Sequence, residues 1–265
     1  MSRQNDSPVW ASEKLNNVHG DPDKGSKVQK MFDDVAARYD FTNRVISIYM
    51  DKRWRKRAIK SANIDDNARV LDLCCGTGDM VFEFADQYRS IDITGLDFSE
   101  NMLKMARAKQ DSIKSGRYKS LDIKWLSGDA SDLGFPDAQF DLVSCAFGLR
   151  NLQDPAKAVA EASRVLKRKG KIVILEFGIP ENFLLKMVVK CYLRYILPVL
   201  GRLASGSSSG AYDYFPRSVA DFGTSSLLKQ ALTDAGFKDI KIQKICLATV
   251  LLITATKNLD EEYLI

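Results

Sequence analysis

Short apolar runs alternate along this chain with longer stretches in which apolar residues recur every three or four positions. The runs RVLDLC (69–74), IDITGLD (91–97), IKWLSGD (123–129), FDLVSCAF (140–147) and KIVILEF (171–177) predict buried strands. Between them, SENMLKMARAKQDSIKS (99–115) and DPAKAVAEASRVLKRK (154–169) have helical spacing, each opening on a Ser or Asp suited to an N-cap. Strands and helices alternating in this way predict an α/β fold, a parallel sheet with helices on both faces. Near the end, FKDIKIQKI (237–245) and ATVLLITATK (248–257) follow one another with no helix between them. They predict an antiparallel hairpin at one edge of the sheet, which a plain dinucleotide-binding fold lacks.

The segment FLLKMVVKCYLRYILPVLGRLASG (183–206) breaks the alternation. It is apolar, but Lys186, Lys190, Arg194 and Arg202 punctuate it and Pro198 interrupts it, so it is a poor membrane-spanning helix. Lys186, Lys190 and Arg194 recur at helical spacing and share one side. Two readings stay open: a helix packed on the sheet under a lid, or an apolar mouth at a bilayer surface that takes a long hydrocarbon tail. The stretch SGSSSGAYDYFPRSV (205–219) that follows is expected to be a mobile loop, because Gly and Ser dominate it.

A chain of 265 residues, 45% hydrophobic and 28% charged, is enough for one α/β domain with a sizeable core and an added segment. A net charge of +5 with scattered basic residues gives no reason to expect a nucleic-acid partner. The five cysteines show no CxxC spacing and are read as reduced and mostly buried. The polar opening stretch to residue 27 has no apolar core of a secretory signal and is read as a flexible arm. It holds His19, the only histidine, so histidine triads and histidine metal sites are improbable unless that arm folds over the site. No metal site is expected.

Candidate chemistry centres on VLDLCCGTGD (70–79), a strand that breaks into a Gly-X-Gly turn. In an open parallel sheet a ligand sits beyond the carboxyl ends of the strands, and Gly76 and Gly78 would let it approach the backbone closely. The dinucleotide fingerprint needs a third glycine where Val81 stands, which argues against NAD. Asp97, ending the second strand, is placed to accept from two ribose hydroxyls, or else to cap the helix near Ser99. Asp129, after the third strand, could meet an adenine amine.

With DLCCGTGD, LDFSENML and GDA in this order, the chain resembles the class I S-adenosylmethionine-dependent methyltransferases. MFDDVAARYDFTN (31–43), AFGLRNLQDPAKAVAEASRVLK (146–167) and ILEFGIP (174–180) narrow the resemblance to the ubiquinone and menaquinone biosynthesis C-methyltransferases. It spans about residues 28–257 and implies a Rossmann-like fold with a seven-stranded, mostly parallel sheet ending in the antiparallel hairpin. It also implies S-adenosyl-L-methionine as cofactor and ring methylation of a prenylated quinol, demethylmenaquinol or a ubiquinol precursor. By the family pattern Asp72, Gly76, Thr77 and Gly78 hold the methionine half, Asp97 the ribose, and Asp129 with Ala130 the adenine. Ala146 stands where a serine is frequent, leaving only its backbone to contribute, and Cys74 takes the first glycine position of the wider motif. Tyr39, Asp40 and Asn43 resemble a lid, within an N-terminal helical region at 28–60. Tyr212, Tyr214 and Pro216 resemble a substrate-side segment, within 180–220, and residues 258–265 form a tail. The family's signature histidine is Asp51 here, with Trp54 kept; KPGG is KRKG at 167–170; a late glycine and histidine are Ala248 and Ile253.

The chemistry asks for a group that stabilises a phenolate, since a quinol carbon is a poor nucleophile until a neighbouring hydroxyl loses its proton. With no imidazole at hand, Arg150 is the candidate, acting by charge while a water takes the proton, because a guanidinium is a poor proton acceptor; the alternative is that Arg150 itself is the base. Asn151 would orient the ring oxygen and Tyr39 close the site; a loop ion pair at Arg150 is the plainer alternative. Expected partners are the quinol and a membrane surface contacted from the cytoplasm, or from the matrix side of a eukaryotic organelle, with a homodimer left open. The alternatives are a methyltransferase acting on another phenol, sterol or polyketide, and a cofactor-binding homologue without activity.

Overall fold

The computed structural model of the protein describes residues 18–113, 123–205, 210–222 and 225–258. Three helices come first, α1 (Lys24–Val35), α2 (Tyr39–Ile46) and α3 (Asp51–Ala62), followed by β1 (Arg69–Leu73), α4 (Asp79–Gln87) and β2 (Asp92–Asp97). Next come α5 (Glu100–Ser112), β3 (Ile123–Ser127), β4 (Phe140–Ala146), α6 (Pro155–Val165) and β5 (Leu166–Phe177). The remainder holds α7 (Phe183–Cys191), α8 (Leu197–Ser205), α9 (Ala211–Asp221), α10 (Ser225–Asp234), β6 (Phe237–Ile245) and β7 (Val250–Lys257).

The seven strands form one sheet in the order β3-β2-β1-β4-β5-β7-β6. The pairs among β1 to β5 are parallel, whereas β7 runs antiparallel to both β5 and β6. The expected edge hairpin is present, with its second strand laid inside its first. Parallel strands covered on both faces read as continuous apolar runs, and Val70, Leu71, Leu142 and Ile174 are fully buried. One cluster, with Phe84 and Trp125, lies on one face, and another, with Val159 and Leu232, lies on the other. The chain reverses direction across the sheet at β1 and β4, and the crevice past their carboxyl ends is where an open α/β sheet binds ligands.

Local chemistry sets the helix starts. Ser99 Oγ accepts from Met102 N at 3.1 Å ahead of α5, and Asp154 accepts from Lys157 N at 2.9 Å ahead of α6, where Pro155 fits the first turn.

Three sequence expectations are corrected. The α6 helix stops at Val165 rather than 169, because LKRK offers no further apolar stripe. Instead Leu166 pairs with Phe140, and Lys167 binds both oxygens of Asp141 at 2.8 Å. Lys169, at φ +62°, makes the irregularity before the strand register resumes. The second correction is that residues 211–219 are helical, not loop: Gly210 takes φ +79° at the cap, and Tyr214, Ser218 and Val219 face inward. The third is that the packed chain starts before residue 28. Val18 is fully buried against Val28, Met31 and Tyr214, and α1 begins at Lys24.

Candidate active site

A cleft in two lobes opens at the carboxyl ends of β1, β2 and β4. Counting space open to solvent, the inner lobe takes in about 390 Å³ and the outer about 620 Å³. They share Cys74, Asp97, Phe98, Asn151 and Leu152. Gly76, Tyr39, Ala146 and Phe147 line the inner lobe; Asp129, Ala130, Gly128 and Gln29 line the outer.

Asp97 is buried and held by two backbone N–H groups, Gly76 N donating to Oδ2 at 2.8 Å and Ser99 N to Oδ1 at 2.9 Å. Ser99, not Asp97, caps α5, so Asp97 is oriented across the junction of both lobes. Burial pushes its carboxyl up to about 6, against the pull of those N–H donors. Asp129 is fixed in the same manner by Ser131 N at 2.8 Å.

Several expected cofactor residues face elsewhere. Gly76, at φ +55°, is needed for the turn and lines the inner lobe. Gly78, at φ +86°, is glycine for packing, since a Cβ there would lie 2.5 Å from Trp125 Cη2. Asp72 sits inside the sheet, accepts from Ser144 Oγ at 2.6 Å, and is pushed up to about 7 by burial. The Thr77 hydroxyl donates to Asp40 Oδ1 at 2.5 Å and accepts from Lys109 Nζ at 2.9 Å. Neither Asp72 nor Thr77 is among the residues lining the lobes.

Asp40 likewise points at a latch rather than at a substrate. Lys109 of α5 binds Asp40 Oδ2 at 2.5 Å and Asp79 Oδ1 at 2.9 Å, tying α2, the glycine turn and α4 together. Tyr39, next to Asp40, lines the inner lobe, and Asn43 bonds to the Tyr39 hydroxyl, whose acidity burial suppresses. At the histidine-equivalent position, Asp51 is buried in a 2.7 Å pair with Arg55, and Trp54 packs edge-on against Phe147 and Phe177. The other two departures are structural: Ala248 has φ +63° in the β6–β7 turn, and Ile253 is fully buried in β7.

Arg150 lies on a short 3-10 turn, Leu149–Asn151, after β4. It is buried beside the cleft rather than lining either lobe. Its Nη1 donates to Glu176 Oε1 at 2.8 Å and to the Phe147 carbonyl at 2.5 Å, while its Nε–H is buried with no partner among the described residues. The guanidinium carbon stands 5.2 Å from the Phe177 ring centre and 5.0 Å from that of Phe215. The loop ion pair is therefore real, and it leaves a donor unspent. Asn151 lines both lobes and accepts from the Tyr214 hydroxyl at 3.2 Å. Tyr214 is buried behind Asn151 instead of facing a ligand; the Tyr212 side chain lies outside the described residues.

Sequence reasoning missed Glu176, Lys109 and Lys24. A glutamate in the apolar run IVILEF was a signal, because a carboxylate in a covered strand demands a cation. Lys109 and Lys24 gave none, being single lysines among many.

Among the described residues no group of His, Cys, Asp and Glu could hold a metal ion. The acids and glycines of the cleft, with aromatic walls and a buried guanidinium beside them, suit an adenosyl cofactor and an aromatic acceptor.

Comparison with known proteins supports that chemistry. A curated demethylmenaquinone methyltransferase of Deinococcus radiodurans is 42% identical over 216 residues, 82% of this chain and 87% of that protein. A ubiquinone/menaquinone biosynthesis C-methyltransferase, UbiE, of Geotalea daltonii is 38% identical over 237 residues, 89% of this chain and 98% of that protein. Among solved structures, the phosphoethanolamine N-methyltransferase 2 of Haemonchus contortus with S-adenosyl-L-methionine shares the fold. Its TM-score is 0.58 at 16% identity, over 78% of this chain and 52% of that one. The model described as the ubiE/COQ5 methyltransferase family matches residues 21–257, and the chain belongs to that family.

Proposed function

We propose that this protein, by family an S-adenosylmethionine-dependent C-methyltransferase of quinone biosynthesis, methylates a ring carbon of a prenylated quinol, demethylmenaquinol or a ubiquinol precursor, in the cleft described above. The observation that carries the site assignment is Arg150: a buried guanidinium whose Nε–H has no partner among the described residues, walled by Phe177 and Phe215, next to a cleft-lining Asn151. A buried donor without an acceptor costs about 1–3 kcal/mol, which a phenolate oxygen would recover if the Arg150 side chain turned toward the cleft.

In this reading Asp97 holds the ribose hydroxyls and Asp129 with Ala130 faces the adenine in the outer lobe. Gly76, Tyr39 and the Ala146 backbone border the methionine half, with Asp72, Thr77 and Gly78 supporting that turn from behind. When bound, S-adenosylmethionine supplies a methyl group on a sulfonium, open to in-line displacement. Arg150 stabilises the phenolate by charge, Asn151 orients its oxygen, and a water accepts the proton, since Arg150 itself stays charged. Tyr39, Asp40 and Asn43 belong to a lid, latched by Lys109, that keeps other water out. Tyr214 sets Asn151 from behind, and Tyr212 shares its helix.

The quinol's tail gives the exposed apolar helix a use. Not one residue of α7 is buried; Phe183 and Leu184 are 71% and 74% exposed, Lys186 and Lys190 lie among them in solvent, and Arg194 is exposed just past the helix, in the π-helical turn Tyr192–Ile196. A packed helix would have hidden a stripe, so for α7 the bilayer-facing reading is the better supported, whereas α8, with Leu197 buried, packs against α2 as the packed-helix reading expects. Among the described residues no helix is long and apolar enough to cross a membrane. The reading is of a protein that touches the cytoplasmic or matrix face of a bilayer; a second copy of the chain on this face is the competing occupant.

Turnover with S-adenosylmethionine radiolabelled on the methyl group, against demethyl-quinols of both ring types under reducing conditions, tests this. Label is expected in a ring-methylated quinol. Label appearing only in other phenols, sterols or polyketides, or nowhere, overturns it.

A further inference from the structure

We infer that Lys24 is a second cation of the acceptor end of the cleft, acting with Arg150 to favour the ionised form of the acceptor hydroxyl; the inference rests on the quinol reading above. Lys24 is fully buried in the first turn of α1, a rare place for lysine. Its Nζ donates to the Leu152 carbonyl at 2.5 Å and lies 3.1 Å from His19 Nδ1. His19 Nε2 lies 3.1 Å from the Ser218 carbonyl, which can only accept, so Nε2 carries the hydrogen and Nδ1 accepts from Lys24. Leu152 adjoins Asn151 and lines both lobes. The ammonium is thus pinned behind the loop that presents Asn151, and the only histidine serves to aim it.

Charge decides what this can do. Among the described residues, the charged groups that act on Lys24 are Arg150 on the 3-10 turn and Glu176 on β5. Around them, Tyr214 on α9 stays neutral because burial suppresses its ionisation, and His19 accepts as a neutral ring. Two cations against one carboxylate leave one positive charge in excess in a buried cluster. Burial, and then the Arg150 charge, accordingly lower Lys24 to about 8. An uncompensated buried charge is unfavourable until an anion arrives beside it, and ionisation of the acceptor hydroxyl supplies one. Lys24 does not line the cleft, so it is a positioning and electrostatic residue rather than one that touches substrate.

The test uses full-length Lys24→Gln, which keeps a hydrogen-bond donor without the charge, and Lys24→Arg, which keeps the charge. With a quinol accepted by the wild type, log kcat/KM should show a descending limb near pH 8 that is absent in Lys24→Gln. At pH 7, kcat should fall roughly ten-fold in Lys24→Gln and recover in Lys24→Arg, with cofactor affinity unchanged. A Lys24→Gln protein with the wild-type kcat and the same limb overturns the inference. A readout without turnover separates it from the functional reading. Protein-bound 4-nitrophenol, followed by its phenolate absorbance, should be roughly ten-fold more ionised in the wild type than in Lys24→Gln. If that difference appears while no quinol is methylated, the quinol reading fails and the charge assignment stands; equal ionisation overturns the charge assignment.

Discussion

At the scale of single residues, the proposed mechanism rests on Arg150. Removing it as Arg150→Ala should cost about 10²- to 10³-fold in kcat, the size of loss seen when a preorganised donor at a developing anion is deleted. Arg150→Lys should retain part of the rate, having charge without the planar fork. Steady-state kinetics with a quinol checks both. Raising the pH should partly rescue the alanine variant, because more quinol ionises in solution. Glu176, fully buried, would be left with one cation fewer, so the variant's thermal stability must be measured beside its rate. Some of this was legible in the sequence. Asp97 announced itself as an acid closing a strand about twenty residues past a glycine turn, and it does sit in the cleft. Arg150 was legible as a residue but not as a partner, because its meaning depends on Glu176, 26 positions away on the neighbouring strand. The packing role of Gly78 was not legible, since the ring that forbids a side chain there belongs to Trp125, far along the chain.

At the scale of elements, two helices invite tests. Helix α2, the proposed lid, is tied down by Lys109, whose ammonium meets Asp40, Thr77 and Asp79 within 2.9 Å. Lys109→Met removes charge-assisted bonds of about 1.5–3 kcal/mol each, discounted here by partial exposure. Amide exchange over Tyr39–Ile46 should quicken and cofactor dissociation should speed up about ten-fold, while kcat at saturating cofactor changes less. Unaltered exchange would mean that apolar packing, not the latch, holds α2. The second element is α7. Replacing Lys186, Lys190 and Arg194 together by Gln should lower co-sedimentation with anionic vesicles, and wild-type binding itself should weaken as salt rises. Activity on a short-chain, water-soluble quinol should not change. Periodicity placed Lys186 and Lys190 on α7, with Arg194 in a π-helical turn, Tyr192–Ile196, just past its end, but could not say whether the apolar remainder met protein or solvent. The end of α6 was hidden for a related reason: LKRK is acceptable as helix surface and as strand, and only the neighbouring Phe140 and Asp141 decide between them.

At the scale of the whole molecule, buried carboxyls shape the response to pH. Asp72 and Asp97 are raised by burial to about 7 and about 6, above the value near 3.9 expected in the unfolded chain. As pH rises from about 4 to 7 the unfolded chain gives up these protons first, so the folded state binds more and its stability falls. The cofactor-free protein should therefore unfold at a higher urea concentration at pH 5 than at pH 8, and Asp72→Asn should shrink that difference. An equal difference in both proteins would show that Asp72 is not its source. The sheet architecture was legible from the strand and helix rhythm, including the closing pair of strands. The placing of β7 between β5 and β6 was not, because a hairpin's own pattern does not state which of its strands meets the sheet. That placing governs how the chain can be made. The strand β5 has no partner on its outer side until residues 250–257 have been synthesised, some eighty positions after it. A nascent chain released or stalled before then carries a long, bare, apolar strand edge, open to pairing with any other chain. In this chain the hazardous interval of biosynthesis is the translation of residues 178–250, the stage at which a factor that shields strand edges would matter most.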